Sequence, residues 1–185
     1  RDETTAINTY VREVQRLGIH AIVVLIHEGG DQQPYDGDTR DGSNVTGRIT
    51  GIVAGLDGDV DVVLSGHSHK FTNAYLPNAA GKPVLVTQAY SYGKGFADVD
   101  LTLDPVSRDI ASKSARIVVT WADQPPGTSP DPEAAELLAD ASRVVAPVID
   151  RHIAVIAHDI TADENAAGES ALGDLVADAD RMAMK

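Results

Sequence analysis

The sequence predicts an α/β protein in which a βαβ unit is followed by antiparallel strands. Two buried strand-like runs, Ala21–Ile26 and Val60–Leu64, lie on either side of an amphipathic helix predicted over Val45–Leu56. A strand, a helix and a second strand in this order form parallel neighbours in one sheet. Four further strand-like runs follow between Phe71 and Thr120 with no helical periodicity between them, so we expect these to pair mainly antiparallel.

The individual elements follow from local patterns. Apolar residues three and four positions apart predict a first helix over Thr4–Leu17, and Gly18 is a suitable end. The run Ala21–Ile26 is continuously apolar, which is typical of a strand covered on both faces. Asn44 is a suitable cap for the helix that begins at Val45. The later strands are predicted at Phe71–Leu76, Pro83–Gln88, Phe96–Leu103 and Ile110–Thr120.

The last third of the chain has a different pattern. Four prolines within Gln124–Pro132 indicate a linker, and the composition of Glu133–Val148 indicates a helix. A short strand over Ile153–Ala157 and a helix over Ser170–Met182 are predicted to close the chain. We therefore expect one domain within residues 1–123, a linker with a connecting helix over 124–150, and the beginning of a second domain over 151–185.

Composition excludes several classes of function. The chain has 185 residues and a net charge of −13, which argues against binding to a nucleic-acid polymer because such proteins need a basic face. Bound cations can still reverse the sign locally, so phosphate chemistry stays possible. There are no cysteines, which excludes disulfides, thiolate metal sites and cysteine nucleophiles. The longest purely apolar run, Ala21–Ile26, is far too short to span a membrane.

Three histidines follow the two strands of the βαβ unit. His27 comes directly after the first strand, and His67 and His69 come just after the second, within Gly-His-Ser-His. Ligand sites in open parallel sheets lie beyond the carboxyl ends of the strands, so these imidazoles are expected to meet in one crevice. Neutral imidazole suits zinc and other transition metals. The sequence therefore predicts a metal site formed by His27, His67 and His69.

Four stretches in this order resemble the calcineurin-like metallophosphoesterases, and more narrowly their bacterial 5′-nucleotidase branch. That branch also includes nucleotide-sugar hydrolases and 2′,3′-cyclic phosphodiesterases. The stretches are Ile22–Gly30, Asp61–His69, Pro83–Gly95 and Asn165–Ala179. The resemblance implies the second half of a four-layer metallophosphoesterase sandwich, a linker helix and the start of a C-terminal α+β domain. It also implies hydrolysis of nucleoside 5′-monophosphates.

The resemblance further implies a site with two divalent metal ions, for which zinc, manganese, iron, cobalt and nickel are candidates. His27 and His67 would bind one ion and His69 the other. The family's Asp-x-His, Gly-Asp and Asn-His motifs, which carry the bridging Asp and the catalytic His, are missing from the expected places. We therefore assign no catalytic residue, and we expect an interior fragment that binds at most one metal weakly and does not hydrolyse nucleotides by itself.

Partners and location follow from the same reasoning. The substrate implied is a nucleotide, and the βαβ unit is expected to be completed by the missing N-terminal half of the domain or by another copy. A cyclic phosphodiesterase or nucleotide-sugar hydrolase would show the same motifs, and a non-catalytic binding module that keeps the fold is a further alternative. Members of the branch are typically exported, so the resemblance implies a secreted, periplasmic or cell-wall-associated protein.

Overall fold

The computed structural model describes residues 2–120 and 129–184. Its secondary structure follows the order helix, strands with one inserted helix, and two final helices. The helices are α1 (Glu3–Gln15), α2 (Arg48–Ala54), α3 (Pro132–Ile149) and α4 (Ala171–Ala183). The strands are β1 (Ile22–Leu25), β2 (Arg40–Asp41), β3 (Val60–Leu64), β4 (Phe71–Pro77), β5 (Pro83–Ala89), β6 (Gly95–Leu103) and β7 (Ile110–Val119).

The five-stranded sheet has the order β1-β3-β5-β4-β2. β1 and β3 are parallel neighbours, as the βαβ pattern predicts, and β3 is also parallel to β5. The antiparallel expectation is confirmed for β4 with β5 and for β6 with β7, which form a hairpin of their own. The α/β class with parallel and antiparallel pairing is thus confirmed. The short strand β2, parallel to β4, lies between β1 and α2, where no strand is predicted from the sequence.

Alternate residues of the central strands build two cores. Val63 of β3 and Val86 of β5 belong to the core that faces α1 and α2. Their neighbours Val62 and Leu85 face the hairpin and pack with Ala115 of β7. Successive side chains of a strand point to opposite faces, so a continuously apolar strand requires a layer on each side. Helices, sheet and hairpin therefore form three layers.

The start of α2 differs from the prediction. The helix begins at Arg48 rather than at Val45, and its N-cap residue is Gly47, which has a φ of 98°. Asn44 does not cap it, because the Asn44 side chain accepts a hydrogen bond from Gln32. A Cβ at position 47 would lie 3.0 Å from the carbonyl oxygen of Gly29. The chain crosses Gly29 closely here, and only glycine adopts this backbone without strain.

Two other predictions are wrong. β1 is not covered on both faces, since Val23 and Leu25 are exposed, Leu25 to 80%. β1 is the edge strand of the sheet, and strand periodicity does not reveal what lies beyond an edge. The segment Ile153–Ala157 is not a strand, although it is strongly apolar. No strand among the described residues pairs with it, and an isolated strand has no partner for its backbone groups.

The chain divides into two compact units, Arg1–Ser129 and Pro130–Lys185. Unit 2 contains α3, which is capped by Asp131, and α4, which is capped by Ser170. The predicted linker Gln124–Pro132 lies largely outside the described residues, and the division into 1–123, 124–150 and 151–185 stays a prediction. None of the helices that the structure describes combines the length and the apolar character that crossing a membrane would require.

Candidate metal centre

The rings of His27 and His67 lie against each other at the carboxyl ends of β1 and β3. Their centroids are 5.0 Å apart and their planes meet at 72°. The pairing of the two strands continues one residue beyond β1, where the Ile26 amide donates to the Leu64 carbonyl oxygen at 3.0 Å. Both imidazoles are exposed. The strand register therefore brings two of the three predicted ligands together on an accessible surface.

His69 has a different neighbour. Its ring lies 5.6 Å from the ring of Tyr92, edge to face, rather than in the pair formed by His27 and His67. Tyr92 follows β5 and is 89% exposed. His67, His69 and Tyr92 all have a positive φ, of 72°, 58° and 56°. Non-glycine residues adopt this conformation at a cost of about 1 kcal/mol or more, and such residues are concentrated at functional sites.

The donor set fits one ion in part. Two imidazoles that share one tetrahedral ion, with metal–nitrogen bonds of about 2.0–2.1 Å, have ring centroids about 5 Å apart. The separation of His27 and His67 matches that arrangement. The described residues contain no group of three or more His, Cys, Asp or Glu side chains that could hold an ion. The role of the three histidines as metal ligands therefore stays a prediction.

Glu28, the acidic residue nearest to His27 in the sequence, forms an ion pair with an arginine. Glu28 follows His27, and its carboxylate lies 3.4 Å from the guanidinium of Arg48 at the start of α2. The same guanidinium donates to both carboxylate oxygens of Glu3 at 2.8 Å. Glu28 thus neutralises a cation rather than bridging the imidazoles.

Beneath the histidines lies a buried polar contact that the sequence analysis missed. The Gln88 amide nitrogen donates to Ser68 Oγ and to the Lys70 carbonyl oxygen, both at 2.7 Å. Ser68 Oγ in turn donates to the Gly30 carbonyl oxygen at 2.6 Å. The signal for Gln88 was a long polar residue inside the apolar strand β5, since buried polar groups are retained where they have partners.

An aromatic cluster lies beside the same edge of the sheet. The rings of Tyr35 and Phe71 are 5.1 Å apart, and those of Phe71 and Tyr90 are 6.0 Å apart. Burial raises the pKa of Tyr35 and the pKa of Tyr90 above the ordinary tyrosine value. Both phenols are therefore protonated at neutral pH. Tyr35 donates its hydroxyl hydrogen bond to the Asn73 carbonyl oxygen, which fixes its ring.

The remaining histidines lie elsewhere. His20 precedes β1, at the opposite end of that strand, and its Nδ1 lies 2.9 Å from the carboxylate of Asp59. The hydrogen bond with His20 lowers the pKa of Asp59 below its ordinary value, and a second bond from Gln15 acts in the same direction. His152 and His158 belong to unit 2 and are exposed.

The fold is similar to part of a solved 5′-nucleotidase precursor. The structure of this chain matches the crystal structure of a 5′-nucleotidase precursor from Thermus thermophilus with a TM-score of 0.61 and 22% identity. The match covers 88% of this chain and 31% of that one. The resemblance that the sequence motifs indicate is thus confirmed as a likeness of fold.

Two longer proteins match almost the whole chain in sequence. Endonuclease YhcR of Bacillus subtilis is 33% identical over 184 residues, which is 100% of this chain and 14% of that protein. Cell wall protein Lmo0130 of Listeria monocytogenes is 31% identical over 192 residues, or 97% of this chain and 23% of that protein. No protein-family model matches the chain. This chain spans less than a quarter of the length of either of these two relatives.

Proposed function

We propose that this chain is part of a metal-dependent phosphoester hydrolase of the 5′-nucleotidase type, which converts a nucleoside 5′-monophosphate to a nucleoside and phosphate. The shared fold supports a nucleotide-processing phosphoesterase, and so do the names of two of the similar proteins, an endonuclease and a 5′-nucleotidase precursor. The observation that carries the proposal is the convergence of His27 and His67 at the carboxyl ends of two parallel strands.

The three histidines divide between two ions in this proposal. His27 and His67 hold one divalent metal, and His69 contributes to the other. Two divalent metals at such a centre polarise the phosphoryl oxygens and supply positive charge to a substrate that is itself anionic. The chain's own contribution is to hold three imidazoles, whose ring nitrogens bind cations without cancelling their charge, on a surface accessible to a phosphoester.

The chain by itself supplies too few ligands for both ions. Two dications held close together repel each other strongly unless a carboxylate between them offsets the repulsion. No group of three or more potential ligands is present among the described residues. We therefore propose that residues outside this sequence supply the bridging carboxylate and the catalytic histidine. The 185-residue chain alone is expected to bind at most one ion weakly and to release no phosphate.

A second candidate is hydrolysis of a phosphodiester, as in a cyclic phosphodiesterase, with a nucleotide-sugar hydrolase as a related possibility. The name of the relative that is an endonuclease favours a diester substrate. The net charge of −13 opposes a nucleic-acid polymer as the partner, because a polymer carries many phosphates to neutralise. Within this second candidate, a small diester agrees better than a polymer with the charge of this chain.

The edge of the sheet indicates a further partner. Val23 and Leu25 present apolar side chains at β1, whose outer edge has no neighbouring strand among the described residues. We propose that residues from the N-terminal half of the same domain cover this edge. Sedimentation velocity of the gene product, with any residues that the gene encodes outside this sequence, tests the proposal. A monomer at high concentration agrees with it, whereas a stable dimer would indicate that a second copy covers β1 instead.

The proposed setting is extracellular or attached to the cell wall. One relative is named a cell wall protein, and the structural relative is a precursor form. Fractionation of the source cells, followed by immunodetection of this chain in the wall, medium and cytosol, tests that proposal. A signal confined to the cytosol would contradict it.

The test of activity uses the gene product that carries this sequence, together with any residues that the gene encodes outside it. With Mn²⁺ or Co²⁺ present, it is expected to release phosphate from AMP. His67→Ala should lower the rate at least about a hundredfold, because loss of a ligand costs more than loss of a supporting contact. His152→Ala, at an exposed histidine of unit 2, is the matched control and should leave the rate unchanged.

The possible results separate the candidates. Equal rates for His67→Ala and the unaltered protein would contradict the proposal. Cleavage of bis(4-nitrophenyl) phosphate without cleavage of AMP would favour the diester candidate. Metal binding without cleavage of either compound would favour a non-catalytic binding module that keeps the fold.

A further inference from the structure

Gln88 is a buried amide that joins the two loops carrying the histidines. It lies near the end of β5 and is 2% exposed. Its nitrogen donates to Ser68 and Lys70, which lie on either side of His69, and reaches the Gly30 carbonyl oxygen at 3.4 Å. One side chain thus contacts both the loop that follows β1 and the loop that follows β3.

The orientation of this amide follows from its surroundings. Two of the three groups near the nitrogen are carbonyl oxygens, which accept but do not donate. A flipped amide would bring its own oxygen against both of them. The nitrogen therefore faces Gly30, Ser68 and Lys70, and the buried Gln88 oxygen receives no hydrogen bond from any described residue. Leaving a buried acceptor without a partner costs about 1–3 kcal/mol.

The unpartnered oxygen lies beside Gly29, in the loop that follows β1. A Cβ at Gly29 would be 2.4 Å from the Gln88 oxygen, 2.4 Å from Ser68 Oγ and 2.3 Å from the Gly66 carbonyl oxygen. Position 29 therefore admits no side chain without displacing its neighbours. The structure keeps a buried oxygen without a hydrogen-bond donor, and it keeps a glycine that leaves room for the amide. Both observations indicate that the Gln88 amide has a role beyond filling space in the core.

The contacts of Gln88 lead directly to the histidines. Ser68 separates His67 from His69, and both histidines have a left-handed backbone that the surrounding structure must maintain. A Cβ at Gly66 would lie 3.5 Å from His27 Nδ1, so the two loops also meet at the rings themselves. Movement of the Ser68 segment relative to Gly30 would change the separation between the rings of His27 and His67.

We propose that Gln88 is a positioning residue of the metal centre, which sets the spacing between the His27 loop and the loop of His67 and His69. The inference rests on the proposed function, because it assumes that these histidines bind metal. Contacts that orient metal ligands are worth about 10–100-fold in metal affinity. Loss of the Gln88 amide is expected to weaken metal binding within that range and to change the ligand geometry.

The experiment compares two buried glutamines. Gln88→Met keeps the length of the side chain and removes its hydrogen bonds. Gln32→Met is the matched control, since Gln32 is also 2% exposed and its hydrogen bonds go to Asn44 and Asn73 rather than to the histidine loops. Mn²⁺ binding to the purified gene product that carries this sequence, with any residues that the gene encodes outside it, is followed by electron paramagnetic resonance. The ligand geometry is followed by the visible spectrum of its Co²⁺ form at saturation.

The expected result is an about 10–100-fold weaker Mn²⁺ affinity and an altered Co²⁺ spectrum for Gln88→Met, with both unchanged for Gln32→Met. A folded Gln88→Met protein with the affinity and spectrum of the unaltered chain would overturn the inference. If Gln88→Met does not fold, Ser68→Ala decides, because it removes the hydroxyl between Gln88 and Gly30. A loss of about threefold or more in affinity would then support the inference, and an unchanged affinity would overturn it.

Failure of the proposed function has a separate signature. The unaltered gene product and its His27→Ala variant are measured in the same titration. If both bind Mn²⁺ equally, or neither binds it, the histidines are not ligands and the inference about Gln88 falls with them. If His27→Ala loses binding and Gln88→Met keeps it, the proposed metal centre stands and only the role of Gln88 is excluded.

Discussion

Two amphipathic helices, one in each unit of this chain, differ in whether their apolar face is buried. α1 in unit 1 buries Val11, and Ile7 and Val14 pack beside it against the sheet. α3 in unit 2 is longer and has an amphipathic sequence, yet none of its residues is buried, and neither is any other described residue from 129 to 184. The pattern of a helix predicts that it forms an apolar face. Whether that face is covered depends on what folds against it.

The physical consequence is a difference in what stabilises each unit. Unit 1 is held by two apolar cores on either side of its sheet. Unit 2 has capped helices and local hydrogen bonds, such as the bond from the Leu172 amide to the Thr161 carbonyl oxygen. Most helical stability in proteins comes from packing rather than from intrinsic propensity. Side-chain truncations should therefore have large effects in unit 1 and small ones in unit 2.

The largest expected difference concerns two leucines. Leu85 of β5 is fully buried against Val62 and Ala115, and Leu85→Ala should lower the free energy of unfolding by about 2–5 kcal/mol. Leu138 of α3 is 69% exposed, so Leu138→Ala should change it by less than about 0.5 kcal/mol. Urea unfolding followed by circular dichroism measures both. A loss above about 1 kcal/mol for Leu138→Ala would mean that the apolar face of α3 is covered in solution.

The same contrast explains which parts of the fold the sequence predicts. β3 is predicted over its true range because five residues, bounded by polar positions, form a strand with a layer on each side. Ile153–Ala157 has similar apolar character but forms no strand, since no neighbour pairs with it among the described residues. β1 is predicted as a strand, but its exposed face is not. Local pattern determines the element, and the neighbours determine its pairing and cover.

The candidate site likewise has features that the sequence predicts and features that it does not. The meeting of His27 and His67 follows from the sequence, because adjacent parallel strands bring their carboxyl ends together. The contact of His69 with Tyr92 depends on a turn of left-handed residues after β5, and no periodicity encodes that turn. Gln88 is missed for a related reason: its partners lie 18 to 58 residues away in the chain.

A pair of glycines within unit 1 gives the next largest effect. A Cβ at Gly29 would overlap the Gln88 oxygen, Ser68 Oγ and the Gly66 carbonyl oxygen, so Gly29→Ala should destabilise the chain by about 1–3 kcal/mol. A Cβ at Gly51 in α2 meets nothing within 4 Å. Gly51→Ala should therefore stabilise by up to about 1 kcal/mol, since alanine favours the helix. Thermal unfolding should show a lower melting temperature for Gly29→Ala and a higher one for Gly51→Ala than for the unaltered chain. Equal effects of the two changes would show that the histidine loops are looser than their contacts indicate.

The smallest expected effect is a polar contact within unit 1, and it depends on pH. Hydrogen bonds from His20 and Gln15 lower the pKa of Asp59 in the folded chain. A carboxylate with a lowered pKa stabilises the fold above its unfolded pKa of about 3.9 and loses that contribution as the pH falls through the folded value. Asp59→Asn should therefore cost about 1 kcal/mol at pH 7, and its difference from the unaltered chain should shrink below about pH 4.

The control for this pH effect is Asp100→Asn, at an exposed position of β6, which should change stability by less than about 0.5 kcal/mol at either pH. Urea unfolding at pH 7 and pH 3 provides both values. A cost for Asp59→Asn that stays constant between these pH values would mean that the amide replaces the carboxylate contacts, and that the Asp59 charge contributes nothing. If the loss of stability in Asp59→Asn disappears at pH 3, the Asp59 carboxylate contributes to stability although it is partly exposed. A packed core holds the partners of Asp59 in place, whereas no buried core supports the helix caps of unit 2.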